Sequence, residues 1–317
     1  MKLGRITVVA SYNVGLFLKG SRLPGPGETV LADQFYEGGG GKGSNQALAA
    51  SVLGAPTRLL ARIGTDKYGD DAWAMYERHG ITTDYIIRDP SIHSGISVIL
   101  IDSDGHNLIS VAPGANYKLD KKDIDGAEVA FLDSSLVGFQ LENRHEVVEY
   151  AIRKAHSLGV SVLLDPAPAA KLPEDLFPCI DYIKPNEHEA ETLTGLPVKD
   201  VDGAKRAGRW FVEHGVTTAI VTLGELGAVW VSQVEEGHLL PPCVKAIDST
   251  GAGDIFSGAF MAAFSQGKNL EESIRFANTA AAISVTRLGV VEAIPRLSEV
   301  TALMTSASRR GAESAHG

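Results

Sequence analysis

The chain has 317 residues, 44% of them hydrophobic, with 29 basic against 39 acidic side chains and a net charge of −10. That length and apolar content can bury a large core, as two average domains or as one α/β domain with a small appendage. The acidic balance argues against a broad nucleic-acid surface, while a few backbone amides and one cation suffice for a nucleotide phosphate.

Met1–Arg5 leads straight into the strand-like run Ile6–Ala10, without the apolar length or cleavage pattern of a signal peptide. Asn13–Tyr36 follows, with Pro24–Gly27, a short run Thr29–Ala32 and no helix signal. The glycines 38–41 precede an expected helix at Asn45–Leu53, a strand at Leu59–Ile63 and a helix at Asp70–His79. Ser94–Val111 alternates as two short strands around Asp102-Ser103-Asp104-Gly105, a strong hairpin turn. Beyond it, Val129–Leu132, Val160–Leu164, Ile180–Ile183 and Thr218–Thr222 read as buried strands. Asn143–Leu158, Asn186–Thr194, Asp202–His214, Ile255–Phe264 and Leu270–Arg287 read as helices. The tail Thr305–Gly317 is small, polar and expected to fray.

Strands alternating with helices imply a mainly parallel sheet covered on both faces, with binding sites beyond the carboxyl ends of its strands. The expected core is 1–12, 37–93 and 112–304. Segments 13–36 and 94–111 are expected to form a small β lid over the site, and 305–317 a flexible tail. No apolar run approaches the ~20 residues that span a bilayer. Cys179 and Cys243 lie in no CxxC or Cys/His cluster, so neither a disulfide framework nor a zinc site is indicated. A cytoplasmic location is the default.

Three motifs carry chemistry. Asp248-Ser249-Thr250-Gly251-Ala252-Gly253-Asp254 runs into the helix at Ile255. Glycines before a helix let the backbone approach an anion, and the first-turn amides then point at it with the helix dipole behind them. An acid there is also a good N-cap, but two Asp residues framing Thr-Gly-Ala-Gly make a more specific pattern. Gly38-Gly39-Gly40-Gly41-Lys42-Gly43-Ser44-Asn45-Gln46 reads as a flexible turn with close backbone approach, and its spacing is not that of a P-loop. In Lys184-Pro185-Asn186-Glu187-His188-Glu189, Asn186 and Glu189 stand three apart at a helix start, a pattern that also suits a capping box.

These motifs, in this order, resemble those of the ribokinase-like, or phosphofructokinase-B type, carbohydrate kinases, over roughly Ile6 to Pro295. The resemblance implies a three-layer α/β/α core with a small β-sheet lid and an ATP-dependent transfer of phosphate to a sugar or sugar-like polyol. It makes Asp254 the catalytic base and gives Gly251, Ala252 and Gly253 the anion hole. Gly40, Gly41, Lys42 and Asn45, together with Asn13, fall at sugar contacts, and Glu142 of Phe139-Gln140-Leu141-Glu142 is a further one. Asn186, Thr222, Gly224, Gly227, Gly253 and Asn278 fall at nucleotide contacts. Glu189 belongs to the water network around Mg2+. Asp248 and carbonyls around Thr250, Val285, Leu288 and Val290 resemble a monovalent-cation loop for K+, although the family's Ser at its end is Ala293 here.

One departure concerns the sugar. Where ribokinase proper has Gly-Ser-x-Asn-x-Asp, this chain reads Ala10-Ser11-Tyr12-Asn13-Val14-Gly15. A carboxylate holding two hydroxyls is thereby replaced by Gly15, leaving room for a bulkier polyol, or admitting an acidic or phosphorylated sugar near Lys19 and Arg22. A nucleoside substrate fits the glycine motif less well. A Rossmann oxidoreductase requires Gly-x-Gly-x-x-Gly after the first strand, where Ala10-Ser11-Tyr12-Asn13 stands instead. A non-catalytic sugar sensor is the remaining alternative, against which Asp254 and its glycines are intact. The lid's strand edges and apolar face lead us to expect a homodimer through it.

Overall fold

A computed structural model describes residues 4–314. The chain enters as β1 (Ile6–Val9), leaves for the lid as β2 (Asn13–Lys19) and β3 (Gln34–Gly40), and returns through α1 (Lys42–Val52), β4 (Thr57–Gly64) and α2 (Lys67–Arg78). β5 (Thr82–Asp89) forms one edge of the main sheet, and β6 (Gly95–Ile101) and β7 (Asn107–Ala112) complete the lid. There follow α3 (Lys121–Gly126), α4 (Glu128–Leu132), β8 (Leu136–Phe139), α5 (His145–Ser157), β9 (Ser161–Leu164), β10 (Tyr182–Ile183), α6 (Glu187–Thr194) and α7 (Val201–Glu213). The last elements are β11 (Thr218–Thr222), β12 (Ala228–Ser232), β13 (Glu236–Leu239), α8 (Ala252–Ser265), α9 (Leu270–Ser284) and α10 (Leu297–Ser314).

The main sheet has nine strands in the order β13-β12-β11-β10-β9-β8-β1-β4-β5. All neighbours from β11 to β5 are parallel, and β12 and β13 are antiparallel additions. Successive strand residues feed opposite faces. Ile6, Val8, Leu59, Ala61 and Ile220 pack with α1, α2, α8 and α9, whereas Val9, Leu60, Ala219 and Val221 pack with α4, α5 and α7. The result is three layers, helices on a sheet on helices. β1 lies between β4 and β8, so the chain's direction of progress across the sheet reverses there. Such a switch point opens a crevice at the strands' carboxyl ends.

The lid is a separate four-stranded sheet, β3-β2-β6-β7. Its hairpin between β6 and β7 turns at Asp102–Gly105, as the sequence implies. Three expectations change. The lid segment, expected to end at Tyr36, runs on: the glycines 38–40 form the end of β3, so the lid sheet reaches Gly40. Glycines carry no side-chain alternation, which hides a strand from any pattern. Val129–Leu132 is the helix α4, with Ala130 and Phe131 buried and Val129 and Leu132 exposed, and the strand comes later at β8. A four-residue apolar run has no period to separate the two. Finally, α10 continues to Ser314, through the start of the segment expected to fray, and 315–317 lie outside the described residues.

Candidate active site

Five neighbouring parallel strands deliver the polar residues of the crevice at their carboxyl ends. Ser11 follows β1, Glu142 follows β8, Asp165 follows β9, Lys184 follows β10 and Thr222 ends β11. Two helices start over the same crevice, α1 with Gly41 as N-cap and α8 with Gly251 as N-cap.

Asp254 sits in the first turn of α8 and is 7% exposed. Asn45 on α1 donates from Nδ2 to its Oδ2 at 2.9 Å, and Gln46 donates from Nε2 to its Oδ1 at 3.3 Å. The same Gln46 nitrogen donates to Asp165 Oδ2 at 2.9 Å, and Gln140 holds Gln46 in turn at 2.6 Å. Burial pushes the Asp254 carboxyl up to about 6, with the Asp165 charge adding to the rise while Lys42, Asn45 and Lys184 pull it down. Lys42 opens α1 half-buried. Burial alone disfavours its charge, but the Asp254, Asp165, Glu142 and Glu189 carboxylates outweigh it and raise its pKa.

The sequence reading did not assign Asp165, Lys184 or Gln46. Lys184 Nζ meets Asp165 Oδ2 at 2.8 Å, with both side chains almost wholly buried, and donates to the Gly253 carbonyl at 3.3 Å. Ser257 Oγ lies 3.0 Å from Asp165 Oδ2 and 3.1 Å from Gly253 O, and its one proton is shared between these acceptors. A charged pair thus underpins the peptide that enters α8. The signal was present: charges of opposite sign follow two buried apolar runs, Val160–Leu164 and Ile180–Ile183.

Gly251 has φ 74°, the left-handed region, and a Cβ there would stand 2.5 Å from Val290 Cγ1. The Ala252 amide bends back to the Ser249 carbonyl at 3.2 Å. Helix geometry leaves the next first-turn amides, those of Gly253 and Asp254, without intrahelical acceptors.

Among the residues expected at the sugar, Glu142 Oε2 accepts from Ser11 Oγ at 2.5 Å, the Lys42 amide at 2.8 Å and Asn13 Nδ2 at 3.5 Å. Asn13 Oδ1 accepts from Asn116 at 3.0 Å. Asn13, Gly15 and Gly40 lie on the lid strands just above, on one face, with Asn13 directly opposite Gly40. Asn45 Oδ1 and Asp165 Oδ1 are buried acceptors without a protein donor among the described residues, open to a ligand hydroxyl or ammonium-like donor.

Asn186 and Glu189, which the resemblance sets on the nucleotide side, form a complete capping box for α6. Asn186 Oδ1 accepts from the Glu189 amide and Glu189 Oε2 accepts from the Asn186 amide, each at 2.8 Å. Burial and the Asp165 charge raise the Glu189 carboxyl. Thr222 pairs with Asn186 in an isolated parallel bridge, and Gly224 and Gly227 bracket the turn after it. Asn278 on α9 donates to the Leu239 carbonyl at 3.0 Å, tying α9 to the end of β13. Asp248 accepts from the Thr250 amide at 2.9 Å and the Gly289 amide at 3.1 Å, joining the loop before α8 to the segment containing Leu288 and Val290. The Val285 carbonyl accepts from both Ile247 and Asp248 amides.

A parallel-sheet crevice with a buried carboxylate at a glycine-framed helix start, under a β lid, defines a phosphotransferase acting on a small hydroxylated substrate. The family model for the pfkB family of carbohydrate kinases matches residues 4–297. Among relatives, the chain is 37% identical to a deoxyribokinase of Salmonella typhi and 38% identical to a ribokinase of Haemophilus influenzae, each alignment covering 93% of this chain and 96% of the relative. Its fold matches the crystal structure of a Thermotoga maritima ribokinase at a TM-score of 0.87 and 38% identity, covering 95% of this chain and 99% of that one. It matches an Arabidopsis thaliana ribokinase complexed with ribose and ATP at 0.88 and 30%, covering 95% and 98%. The chain belongs to the pfkB family of carbohydrate kinases and is an ATP-dependent sugar kinase.

Proposed function

We propose that this kinase transfers the γ-phosphoryl group of ATP to a hydroxyl of a pentose-like sugar held between core and lid, with Asp254 as the base. The observation that carries the reading is the Asp254 carboxyl itself. It is buried, oriented by Asn45 and Gln46, and tuned to about 6, so it is ionised and still basic near neutral pH. The acceptor oxygen attacks the γ-phosphorus and its proton passes to the Asp254 carboxylate. The bond from that phosphorus to the bridging β–γ oxygen breaks, and ADP leaves with the electron pair. Gly251, Ala252 and Gly253 at the start of α8 form the anion hole for the transferring group. Gly41, Lys42, Asn45, Asn13 and Glu142 hold the sugar, and the unpartnered Asn45 Oδ1 supplies an acceptor for one of its hydroxyls.

Asn186, Thr222, Gly224, Gly227 and Asn278 line the nucleotide side. Four carboxylates, Glu142, Asp165, Glu189 and Asp254, face two ammonium groups, Lys42 and Lys184, so the cleft is net acidic. ATP therefore fits best with Mg2+, which neutralises its phosphates, while Glu189 orients the waters of that ion. The oxygen donors around Asp248, Thr250, Leu288 and Val290 suit K+; Val285 stabilises the loop through its doubly engaged carbonyl. The enzyme works in the cytoplasm, and a second copy covers the apolar outer face of the lid.

The test is ADP release with MgATP across pentoses, hexoses, polyols, sugar acids, sugar phosphates and nucleosides. One class should turn over, and Asp254→Asn should lower kcat by about 10^2–10^4-fold with ATP still bound. Full activity in that variant would remove Asp254 from the chemistry.

A further inference from the structure

The lid face toward the crevice has an uneven chemistry. Strand register puts Asn13, Gly15 and Phe17 of β2 on that face, opposite Gly40, Gly38 and Tyr36 of β3. The neighbouring residues of β6 in the same rows are Gly95, Ser97 and Ile99. Near Asn13 the floor is therefore almost bare of side chains. Just beyond, Phe17 and Tyr36 stack with centroids 4.5 Å apart and planes 6° from parallel.

Phe17 also lies back over the floor. A Cβ at Gly15 would be 2.5 Å from Phe17 Cε2 and 3.0 Å from Cζ. The space a side chain at position 15 would fill is thus occupied by an aromatic ring. Gly15 does not enlarge the cleft, and the sequence expectation that it makes room for a bulkier polyol is not met. Tyr36 shares this face by its register opposite Phe17, and burial and the Asp248 carboxylate raise its hydroxyl pKa.

No carboxylate stands on this face of β2, β3, β6 or β7. Below it, Glu142 Oε2 already serves three protein donors. A vicinal pair of hydroxyls turned toward the lid would lose water and find no charged acceptor on the lid itself, while a C–H face would lose nothing against an aromatic wall.

We propose that Phe17, backed by Tyr36, sets the acceptor class: a deoxygenated pentose such as 2-deoxyribose, which turns a CH2 group rather than a vicinal diol toward the lid. This rests on the sugar-kinase reading and narrows it.

The experiment pairs kcat/KM with equilibrium binding, using 2-deoxyribose and ribose on the full chain, with MgATP for turnover and a non-hydrolysable ATP analogue for binding. The deoxy sugar should be preferred by about tenfold or more in both, a difference of about 1.4 kcal/mol. Phe17→Leu, which keeps apolar bulk, and Phe17→Ala should each narrow the preference. Gly15→Asp combined with Phe17→Ala, which replaces the ring by a carboxylate, should reverse it. ATP-analogue affinity and circular dichroism check that each variant is folded. Equal or better binding of ribose by the unaltered protein, or no measurable binding of either sugar, overturns the proposal. A preference unmoved by both Phe17 variants does the same. Turnover with ribose preferred sinks the proposal and leaves the kinase standing. Selective binding of the deoxy sugar with no turnover sinks the catalytic reading and leaves the acceptor class standing.

Discussion

Burial raises the Asp254 carboxyl from 3.8 to about 6, and this has opposite consequences for activity and stability. As the proposed base it must be ionised, so kcat/KM should rise with pH and level off above about 6; a profile flat from pH 5 to 8 would exclude this assignment. Stability runs the other way. The native state holds this proton more tightly than the unfolded chain, so the contribution is complete below about pH 4 and is lost as pH rises through about 6. A shift of two units corresponds to roughly 3 kcal/mol. Asp254→Asn should flatten that part of the unfolding free energy between pH 4 and 7, measured by urea denaturation. The Lys184–Asp165 pair behaves differently, because removing one partner strands the other in the interior. Lys184→Met should cost about 3–5 kcal/mol, and adding Asp165→Asn should restore a substantial part of it. A double-variant loss equal to the sum of the two single-variant losses would show that the two charges are not coupled. This pair was legible only in retrospect. Opposite charges at the ends of two buried runs are visible in the sequence, but their pairing needs β9 and β10 side by side.

At the scale of elements, α1 and α8 must approach closely for Asn45 and Gln46 to reach Asp254. Gly258 permits it: a Cβ there would lie 2.4 Å from the Gln46 carbonyl and 2.5 Å from Ala49 Cβ. Gly258→Val should push the helices apart and lower kcat by tenfold or more while leaving KM for ATP nearly unchanged, since the nucleotide-side residues lie elsewhere. A KM effect alone would count against this role. The helices and buried strands flanking this pair were readable from periodicity because their apolar spacing is regular. The failures fall where side chains carry no period: the glycine end of β3, and the four apolar residues of α4. The motif at the start of α6, Asn186 to Glu189, was ambiguous for another reason, since one pair of residues serves as a capping box and also faces the nucleotide side.

At the scale of the whole molecule, the lid's outer face carries the row Phe35, Leu18, Leu100 and Leu108, with Phe35 62% and Leu108 51% exposed. A second lid is the partner we propose for such a surface on a thin sheet. Sedimentation should show a dimer at micromolar concentration, and Phe35→Asp with Leu108→Asp should give a monomer; a monomeric unaltered protein would overturn this. The order of motifs along the chain made the family fold readable almost end to end, whereas the proposed pairing of lids depends on a surface that sequence only outlines. The contact between Asn45 and Asp254 spans 209 residues. At a synthesis rate of ~5–20 residues per second, Asn45 leaves the ribosome about 10–40 s before the carboxylate it orients. A product ending before α8 therefore carries Asn45 and Gln46 without the carboxylate they hold, and should phosphorylate no sugar.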